Sequence, residues 1–232
     1  MSKLVLTRDQ CRAVDSIAAQ ELGLSGLVLM ENAGLLAALA LLPVLEAERL
    51  RAVILVGAGN NGGDGYALGR QLLVRGHSPM LLAFRSLGRL STDASVQRRA
   101  CEALGIEIVD CPLVEELDRA LRGAGSDLLM VDAVLGTGFQ PPLRADLGGW
   151  LQSAEALRAE LQLPCWAIDL PSGMDADLGT GALIHAQRTL TLAASKVGLH
   201  TPEAEPWCGR VSVLPIGVPD QVLEQAARAS TC

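Results

Sequence analysis

The stretch that most constrains the fold of this chain is VILVGAGNNGGDGYALGR, residues 53–70. Its first residues are apolar and rich in β-branched side chains, as in a central strand of a parallel sheet. Glycines then follow at positions 57, 59, 62, 63 and 65, where the missing Cβ atoms let backbone N–H groups approach a ligand. Alanine and leucine at helical spacing complete the stretch, and a helix N-terminus favours an anion. The pattern therefore predicts a strand–turn–helix unit that binds phosphate.

Two other interpretations of this stretch remain open at this point. The GxGxxG match that begins at Gly57 fits the dinucleotide-binding fingerprint, which is a weak signal by itself. That fingerprint usually has an acidic partner about 20 residues on, at the end of the second strand. Here the predicted second strand, residues 80–84, is followed by Arg85 and no acid. The structural alternative is an ordinary glycine-rich turn whose asparagines and aspartate act as local caps.

The composition argues against several classes of protein. The formal charge is −7 without a basic block and aromatic residues make up 3%, which disfavours nucleic-acid binding and base stacking. Apolar runs fall short of the ~20 residues of a membrane span. The apolar stretch 33–45 is too short and is broken by Pro43. The N-terminus lacks a secretory apolar region, so no membrane association and a cytoplasmic location are expected.

Cysteine and histidine usage gives little support for a transition-metal site. The six cysteines have no CxxC spacing, and in a chain without an export signal they are expected to be reduced and in part buried. The three histidines, His77, His185 and His200, are scattered along the chain. This distribution disfavours both a histidine metal site and a Ser-His-Asp triad.

Strands alternate with helices along the chain, which predicts a mostly parallel sheet covered on both faces. Two N-terminal helices are expected first, at residues 7–22 with Thr7 as cap and from residue 25 to about 42, where Pro43 ends the second. They are expected to pack beside the sheet or against a second subunit. No linker or repeat divides the chain, so residues 1–232 are predicted to form one domain, of which about 1–48 are the N-terminal helices. Strands are predicted near residues 53–56, 80–84, 107–109, 127–131, 165–168, 188–192 and 210–214.

Polar, glycine-containing loops follow three of these strands, at residues 60–64, 132–142 and 169–175. The carboxyl ends of parallel strands lie on one edge of a sheet, so the three loops should meet in one cleft. Oxygen atoms of Asn61, Asp132 and Ser172 would suit a hard cation rather than zinc. The structural alternative is that each of these polar residues only caps a helix.

Three further groups have competing interpretations. Asp169 ends an apolar strand, where burial is expected to raise its pKa and make it a proton carrier, against an Asx turn as the alternative. Lys196 either stabilises negative charge and assists proton transfer or is a solvated side chain. Glu31 and Asn32 interrupt an apolar stretch. They either face the cleft or a subunit contact, or form an interhelical hydrogen bond or lie in solvent.

Taken in order, GNNGGDG, VDAVLGTGF and DLPSGMDADLG resemble the motifs of the NAD(P)H-hydrate epimerase family, as do MENAG upstream and SKVGL and IGVP downstream. The resemblance covers nearly the whole chain. It implies an α/β Rossmann-like three-layer αβα sandwich with an N-terminal helical pair. It also implies interconversion of the R and S forms of NADH hydrate and NADPH hydrate, which repairs nicotinamide cofactors that have taken up water on the ring. An NAD(P)H-hydrate dehydratase then consumes the S form.

The resemblance also implies site residues. Asp169 would bind the substrate and shuttle the proton while the carbon–oxygen bond, or the ring, opens and closes. One potassium ion per subunit would be held by Asn61, Asp132 and Ser172. The implied substrate-binding residues are Asn60, Asn61, Gly62, Gly63, Asp64, Gly136, Thr137, Gly138, Phe139, Gln140, Pro141, Pro142 and Asp169.

Two positions depart from the family pattern, since Gln187 replaces an acid and Leu192 replaces an aromatic residue near the lysine loop. Both weaken the expected role of Lys196. The chain ends about where a dehydratase domain follows in many bacterial relatives, so it is expected to be a stand-alone epimerase or half of a bifunctional protein. A homodimer through the N-terminal helices is expected. The choice between NADH and NADPH hydrates is open, with Arg85 the one hint of a 2′-phosphate contact.

Two rival functions compete with the epimerase. A nicotinamide-dependent oxidoreductase would use the GxGxxG match, but it needs a substrate domain and an acidic ribose partner. A non-catalytic ligand- or protein-binding module of the same fold would tolerate loss of the loop residues. In this chain Asn61, Asp132, Asp169 and Ser172 all stand at their motif positions, which favours the enzyme.

Overall fold

The structure is a computed structural model that describes residues 4–84 and 90–228. The helices are α1 Arg8–Leu22, α2 Gly26–Ala47, α3 Asn60–Val74, α4 Thr92–Ala103, α5 Val114–Gly123, α6 Ala145–Glu160, α7 Glu205–Cys208 and α8 Asp220–Arg228. A short 3₁₀ helix spans Val197–His200. The strands are β1 Val5–Leu6, β2 Arg51–Val56, β3 Met80–Ala83, β4 Glu107–Asp110, β5 Leu128–Ala133, β6 Cys165–Ile168, β7 Arg188–Leu192, β8 Ser195–Lys196 and β9 Arg210–Leu214.

Seven strands form one sheet in the order β4-β3-β2-β5-β6-β7-β9, and every neighbouring pair is parallel. The order runs outward in both directions from β2 and β5. This is the topological switch point, where a crevice forms at the carboxyl ends of the strands. The predicted α/β fold is confirmed, and the glycine-rich turn after β2 lies beside the loop after β5.

Helices cover both faces of the sheet because successive strand residues point to opposite sides. Ile54 and Val56 pack with α2, α3 and α4 on one face, in a cluster that includes Leu41 and Leu68. Val53 and Leu55 face the other way and pack with α5 and α6. The continuous apolar strands of the sequence are therefore the buried middle layer of a three-layer sandwich.

The N-terminal segment adds an element that the sequence patterns missed. Residues 5 and 6 form β1, which pairs in parallel with β8 so that Leu6 is opposite Lys196. Thr7 then caps α1 as predicted, because its hydroxyl accepts from Gln10 N while the Gln10 side chain accepts from Thr7 N. The helix packs on α8, and Gln10 Nε2 donates to Ala227 O at 2.9 Å. A two-residue strand leaves no periodic pattern, so only the tertiary pairing reveals it.

The expectation that Pro43 ends the second helix is wrong. Helix α2 continues through Pro43 to Ala47. Proline removes one hydrogen bond, to the carbonyl group of Leu39, but Leu39 and Pro43 lie on the exposed side where water can replace it. Leu41 and Leu45 on either side of Pro43 are buried against the core. Packing of this face outweighs the lost bond.

Because Pro43 does not interrupt it, α2 is long and apolar enough to cross a membrane by length and composition alone. Core helices of soluble proteins pass the same test. Eight of its residues are buried in this chain, on the side that faces α3 and the sheet. The helix therefore serves as a core helix within the described part of the fold.

The cysteines within residues 4–84 and 90–228 are free thiols, as expected. Cys101, Cys111, Cys165 and Cys208 are buried and Cys11 is partly exposed. Burial raises the pKa of the Cys101 thiol to about 12, so it is a packing residue rather than a nucleophile. Cys232 lies outside the described residues.

The close crossing of α2 and α3 depends on Gly34. A Cβ atom at this position would lie closer than 3.0 Å to Ala67 and to the backbone of Leu68. We expect Gly34→Val to lower the free energy of unfolding by about 1–3 kcal/mol, because the helices would have to separate. The matched control is Gly149→Ala in α6, where a Cβ would meet nothing within 4 Å. Urea denaturation of both variants measures the difference, and equal stabilities would contradict the packing argument.

Candidate active site

The loops after β2, β5 and β6 meet in a cleft of about 800 Å³ at the carboxyl edge of the sheet. Most of the predicted substrate-binding residues line it: Asn60, Asn61, Asp64, Gly136, Thr137, Gly138, Phe139, Gln140, Pro142 and Asp169. Gly62 and Gly63 are buried in the first turn of α3 instead, and Pro141 is exposed outside the lining. The cleft lies at the switch point between β2 and β5, where this fold places its ligands.

At the centre of the cleft is an ion pair between Asp169 and Lys196. Lys196 Nζ lies 2.6 Å from Asp169 Oδ1 and also donates to Thr191 Oγ1 and Leu192 O. The other oxygen, Oδ2, accepts from the Thr137 backbone N–H at 2.6 Å and from its hydroxyl at 2.8 Å. Three donors thus hold the carboxylate in one orientation.

The sequence expectations for these two residues need correction. Lys196 is only 2% exposed, so the solvated-lysine alternative is wrong. Burial alone would raise the pKa of Asp169, but the Lys196 charge and the donors of Thr137 outweigh it, and the pKa is lowered. Asp169 is therefore held in its ionised, carboxylate form. The expectation of a raised pKa is wrong because the buried cation could not be inferred from the sequence.

The backbone of Asp169 is also unusual. Its φ is +68°, in the left-handed region that non-glycine residues rarely adopt. Its N–H donates to Leu190 O at 2.8 Å, which fixes the turn that leaves β6. Such conformations persist where the surroundings determine them, and they cluster at functional sites.

Asp132 and Ser172 form a second buried pair behind the cleft. Ser172 Oγ lies 2.5 Å from Asp132 Oδ1, and Ser172 N donates to Asp132 Oδ2 at 2.7 Å. Both residues are fully buried. Burial raises the pKa of Asp132 to about 6, against these hydrogen bonds, which lower it. A neighbouring cation would stabilise the ionised form of this carboxyl.

Asn61 is a buried amide in the cleft whose side-chain hydrogen bonds are missing. Both of its side-chain polar atoms are buried and have no protein partner within the described residues. Leaving a buried amide unsatisfied costs roughly 1–3 kcal/mol, which indicates that a ligand or ion completes it. No three His, Cys, Asp or Glu side chains group as a metal site in residues 4–84 and 90–228. The amide, carboxylate and hydroxyl oxygens at this place suit a hard cation rather than zinc.

Two further carboxyl groups line the cleft. Asp64, in the first turn of α3, has its pKa raised well above the ordinary value by burial and by the charges of Asp169 and Asp15. Asp15, on α1 at the solvent-exposed mouth, has its pKa raised to about 6 by the surrounding protein and by Asp169. Three acidic groups and one lysine thus line the cleft, and the ammonium group of the lysine is bound to Asp169.

One wall of the cleft was not anticipated from the sequence. Helix α1 contributes Cys11, Arg12 and Asp15, and β1 contributes Leu6. The sequence predicted α1 as a helix but gave no signal that its flank faces the cleft. Arg85, the one hint of a 2′-phosphate contact, lies outside the described residues.

Glu31 has the interhelical role that was one of its interpretations, and Asn32 bonds the loop between β9 and α8. Glu31 on α2 accepts hydrogen bonds from Arg70 and Gln71 on α3 and from Gln97 on α4. Asn32 Nδ2 donates to Ile216 O at 2.9 Å. Neither residue lines the cleft. Together they tie α2 to its neighbours.

An ion pair between Arg8 and Asp175 fastens α1 to the loop that includes Asp169. Their closest atoms are 2.7 Å apart and both side chains are largely buried. We expect Arg8→Met to lower the free energy of unfolding by roughly 1.5–3 kcal/mol, because Asp175 loses its charged donor. A double-mutant cycle with Asp175→Asn, followed by urea denaturation, measures the coupling. Additive effects would show that the two residues do not interact.

Comparisons with known proteins identify the family of this chain. The family model described as YjeF-related protein N-terminus matches residues 26–198. An NAD(P)H-hydrate epimerase of Rhodopirellula baltica is 40% identical over 95% of this chain and 87% of that protein. A bifunctional NAD(P)H-hydrate repair enzyme of Salinibacter ruber is 34% identical over 98% of this chain and 43% of that protein. The crystal structure of yeast ynu0 has the same fold, with a TM-score of 0.69 at 21% identity, over 84% of this chain and 82% of that one. The chain therefore belongs to the YjeF-related protein N-terminus family, whose curated members include NAD(P)H-hydrate epimerases.

Proposed function

We propose that this chain interconverts the R and S hydrates of NADH and NADPH. The supporting observation is the Lys196–Asp169 pair, placed at the switch point of the sheet among three loops with epimerase-type motifs. The glycine-rich turn and the N-terminus of α3 border the same cleft and suit the phosphates of a nicotinamide dinucleotide. The pair and the turn together provide both a proton acceptor and an anion site.

Inversion at the hydrated ring carbon proceeds by loss and return of water. The hydroxyl accepts a proton, the carbon–oxygen bond breaks, and its electron pair leaves with the water. The lone pair of the ring nitrogen forms the carbon–nitrogen double bond of the intermediate. Water then adds to the opposite face and the nitrogen recovers its lone pair. Asp169, held as a carboxylate by Lys196, accepts the proton of this incoming water.

Potassium is the ion that we propose for the oxygen-rich pocket. Asn61, Asp132 and Ser172 would hold it, since Asn61 lacks a protein partner and Asp132 is a buried carboxyl. When bound, the ion would supply positive charge that keeps Asp132 ionised and fixes the loops around the substrate. Asp132 and Ser172 join the loops after β5 and β6, so their geometry affects the orientation of Thr137 and Asp169.

We also propose that the product passes to an NAD(P)H-hydrate dehydratase in the cytoplasm. Sequence similarity to a bifunctional NAD(P)H-hydrate repair enzyme supports this coupling. A homodimer through the N-terminal helices stays a prediction, which gel filtration with light scattering would test.

A coupled assay tests the activity. An R/S mixture of NADPH hydrate is incubated with an S-specific dehydratase, and the purified chain is then added with and without potassium. We expect the dehydratase alone to stop after the S form and the chain to drive the remainder to NADPH. Persistence of the R form under every condition would refute the epimerase and favour a binding module.

The potassium site has its own prediction. Asp132→Asn keeps the shape of the side chain but removes its charge, so we expect the stimulation by potassium to be lost. The comparison is the same assay with wild-type protein in potassium and in sodium chloride at equal ionic strength. An unchanged potassium response in the variant would place the ion elsewhere.

A further inference from the structure

The two most buried carboxyl groups of the cleft have opposite surroundings. Asp169 accepts from Lys196 Nζ and from the N–H and hydroxyl of Thr137, so both its oxygens are occupied by donors. Hydrogen bonds of this kind stabilise the ionised form. A carboxylate with this environment can take a proton from water but cannot supply one to a leaving hydroxyl group.

Asp64 lacks such donors. It is 8% exposed, lines the cleft from the first turn of α3, and receives no hydrogen bond or ion pair from residues 4–84 and 90–228. The charged groups near it are the carboxylates of Asp169 and Asp15 and the ammonium group of Lys196. That ammonium group is already bound to Asp169, Thr191 and Leu192. Burial beside like charge without a donor favours the neutral acid.

We propose that Asp64 is the proton donor of the cleft, which protonates the departing hydroxyl group of the substrate while Asp169 stays a carboxylate. In one direction the Asp64 proton goes to the hydroxyl oxygen as the carbon–oxygen bond breaks. The incoming water gives its proton to Asp169, and exchange with solvent restores both groups between turnovers. Two carboxyl groups with opposed environments then divide the roles of acid and base.

Other groups in the cleft are less suited to the donor role. Asp15 lies at the exposed mouth of the cleft, where water competes with the substrate hydroxyl group for its proton. Burial raises the pKa of the Cys11 thiol to about 11, which makes it a poor acid at neutral pH. Lys196 donates to three protein acceptors, and loss of its proton would leave Asp169 without its cation. Asp64 alone among these four is buried, unpartnered within the described residues and open to the cleft.

The protonation state can be measured without substrate. Carbon NMR of wild-type protein labelled at the aspartate carboxyl groups is recorded between pH 4 and pH 8, with Asp64→Asn and Asp169→Asn used to assign the two resonances. We expect the Asp64 resonance to be that of a neutral acid at pH 7 and the Asp169 resonance that of a carboxylate throughout. A fully ionised Asp64 at pH 7 would overturn the proposal.

The proposal rests on the proposed epimerase function, and turnover tests its second half. We expect Asp64→Asn to lower kcat by 10²- to 10³-fold with a smaller change in KM, and Asp64→Glu to recover part of it. Glu115→Gln, an exposed change on α5, is the matched control.

A kcat of Asp64→Asn equal to that of the wild-type protein would overturn the donor role. If the wild-type chain itself does not epimerise the hydrates, the function fails and the donor role fails with it, whereas the NMR titration still decides whether Asp64 holds a proton.

Discussion

Replacement of Lys196 by methionine is expected to lower the rate of epimerisation by 10²- to 10⁴-fold and to destabilise the protein at neutral pH. The methionine side chain has the length to fill the space of the lysine stem but supplies no donor. Asp169 then keeps its bonds from Thr137 and loses its only counter-charge within the described residues. Its buried carboxyl becomes a neutral acid and can no longer accept the proton of the incoming water.

The pH dependence of this loss has a definite sign. In the wild-type chain the folded-state pKa of Asp169 lies below the unfolded value of about 3.9. Its stabilisation is therefore present above that pH and is lost as the pH falls through the lowered value. In Lys196→Met burial prevails and the folded pKa lies above the unfolded one, so stability is lost as the pH rises through it. The difference in unfolding free energy between the two proteins should be large at pH 7 and shrink toward pH 4.

The double variant Lys196→Met/Asp169→Asn separates the two effects. Removal of the carboxyl should restore much of the stability at pH 7, because no charge remains buried without a partner. Activity should stay at the level of the single variant. Urea denaturation at pH 4.5 and pH 7, with the coupled assay alongside, checks both statements. A stability difference that does not vary with pH, or a double variant with restored turnover, would contradict this account of the pair.

The sequence alone was enough to predict the central sheet of the fold and the cleft where the three loops meet. Runs such as residues 53–56 and 128–131 are apolar without interruption, and parallel pairing makes their carboxyl ends neighbours. The position of Asp169 at the end of β6 follows from the same argument. These predictions depend on the local hydrophobic pattern and on one rule of topology, that parallel strands end at the same edge of a sheet.

What the sequence could not provide depends on contacts between distant segments. Lys196 looks like any loop lysine until β1 pairs with β8 and the carboxylate of Asp169 comes within 2.6 Å. The direction of the Asp169 pKa reverses for the same reason. Pro43 is a helix breaker by local rules, but the buried leucines on both sides of it decide the outcome. Helix α1 gave no local sign that Asp15 lines the cleft. In each case the deciding energy comes from core packing or from contacts with distant segments, such as Lys196 with Asp169, 27 residues apart.

The second large effect is expected from Gly62, because the turn after β2 and the first turn of α3 are in backbone contact there. A Cβ atom at position 62 would lie closer than 3.0 Å to the carbonyl oxygen, the carbonyl carbon and the nitrogen of Gly57. The Gly57 backbone cannot yield, because a Cβ of its own would already collide with Val134 O in the next loop. We expect Gly62→Ala to destabilise the protein by about 3 kcal/mol and to reduce epimerisation by at least tenfold, since α3 must move away from the sheet with Asn61 and Asp64.

Gly59 provides a matched comparison within the same turn. A Cβ at this position meets nothing within 4 Å, and Gly59 lines the cleft as the residue before α3. Gly59→Ala should therefore lower the unfolding free energy by about 1 kcal/mol or less, the usual cost of alanine at a helix cap. If the substrate's phosphates approach this backbone, the same variant should raise KM while kcat changes little, because only binding is obstructed. Denaturation and steady-state kinetics of the two variants thus separate a glycine needed for folding from one needed for the ligand. Equal stabilities of Gly62→Ala and Gly59→Ala would show that the contact with Gly57 does not limit the turn.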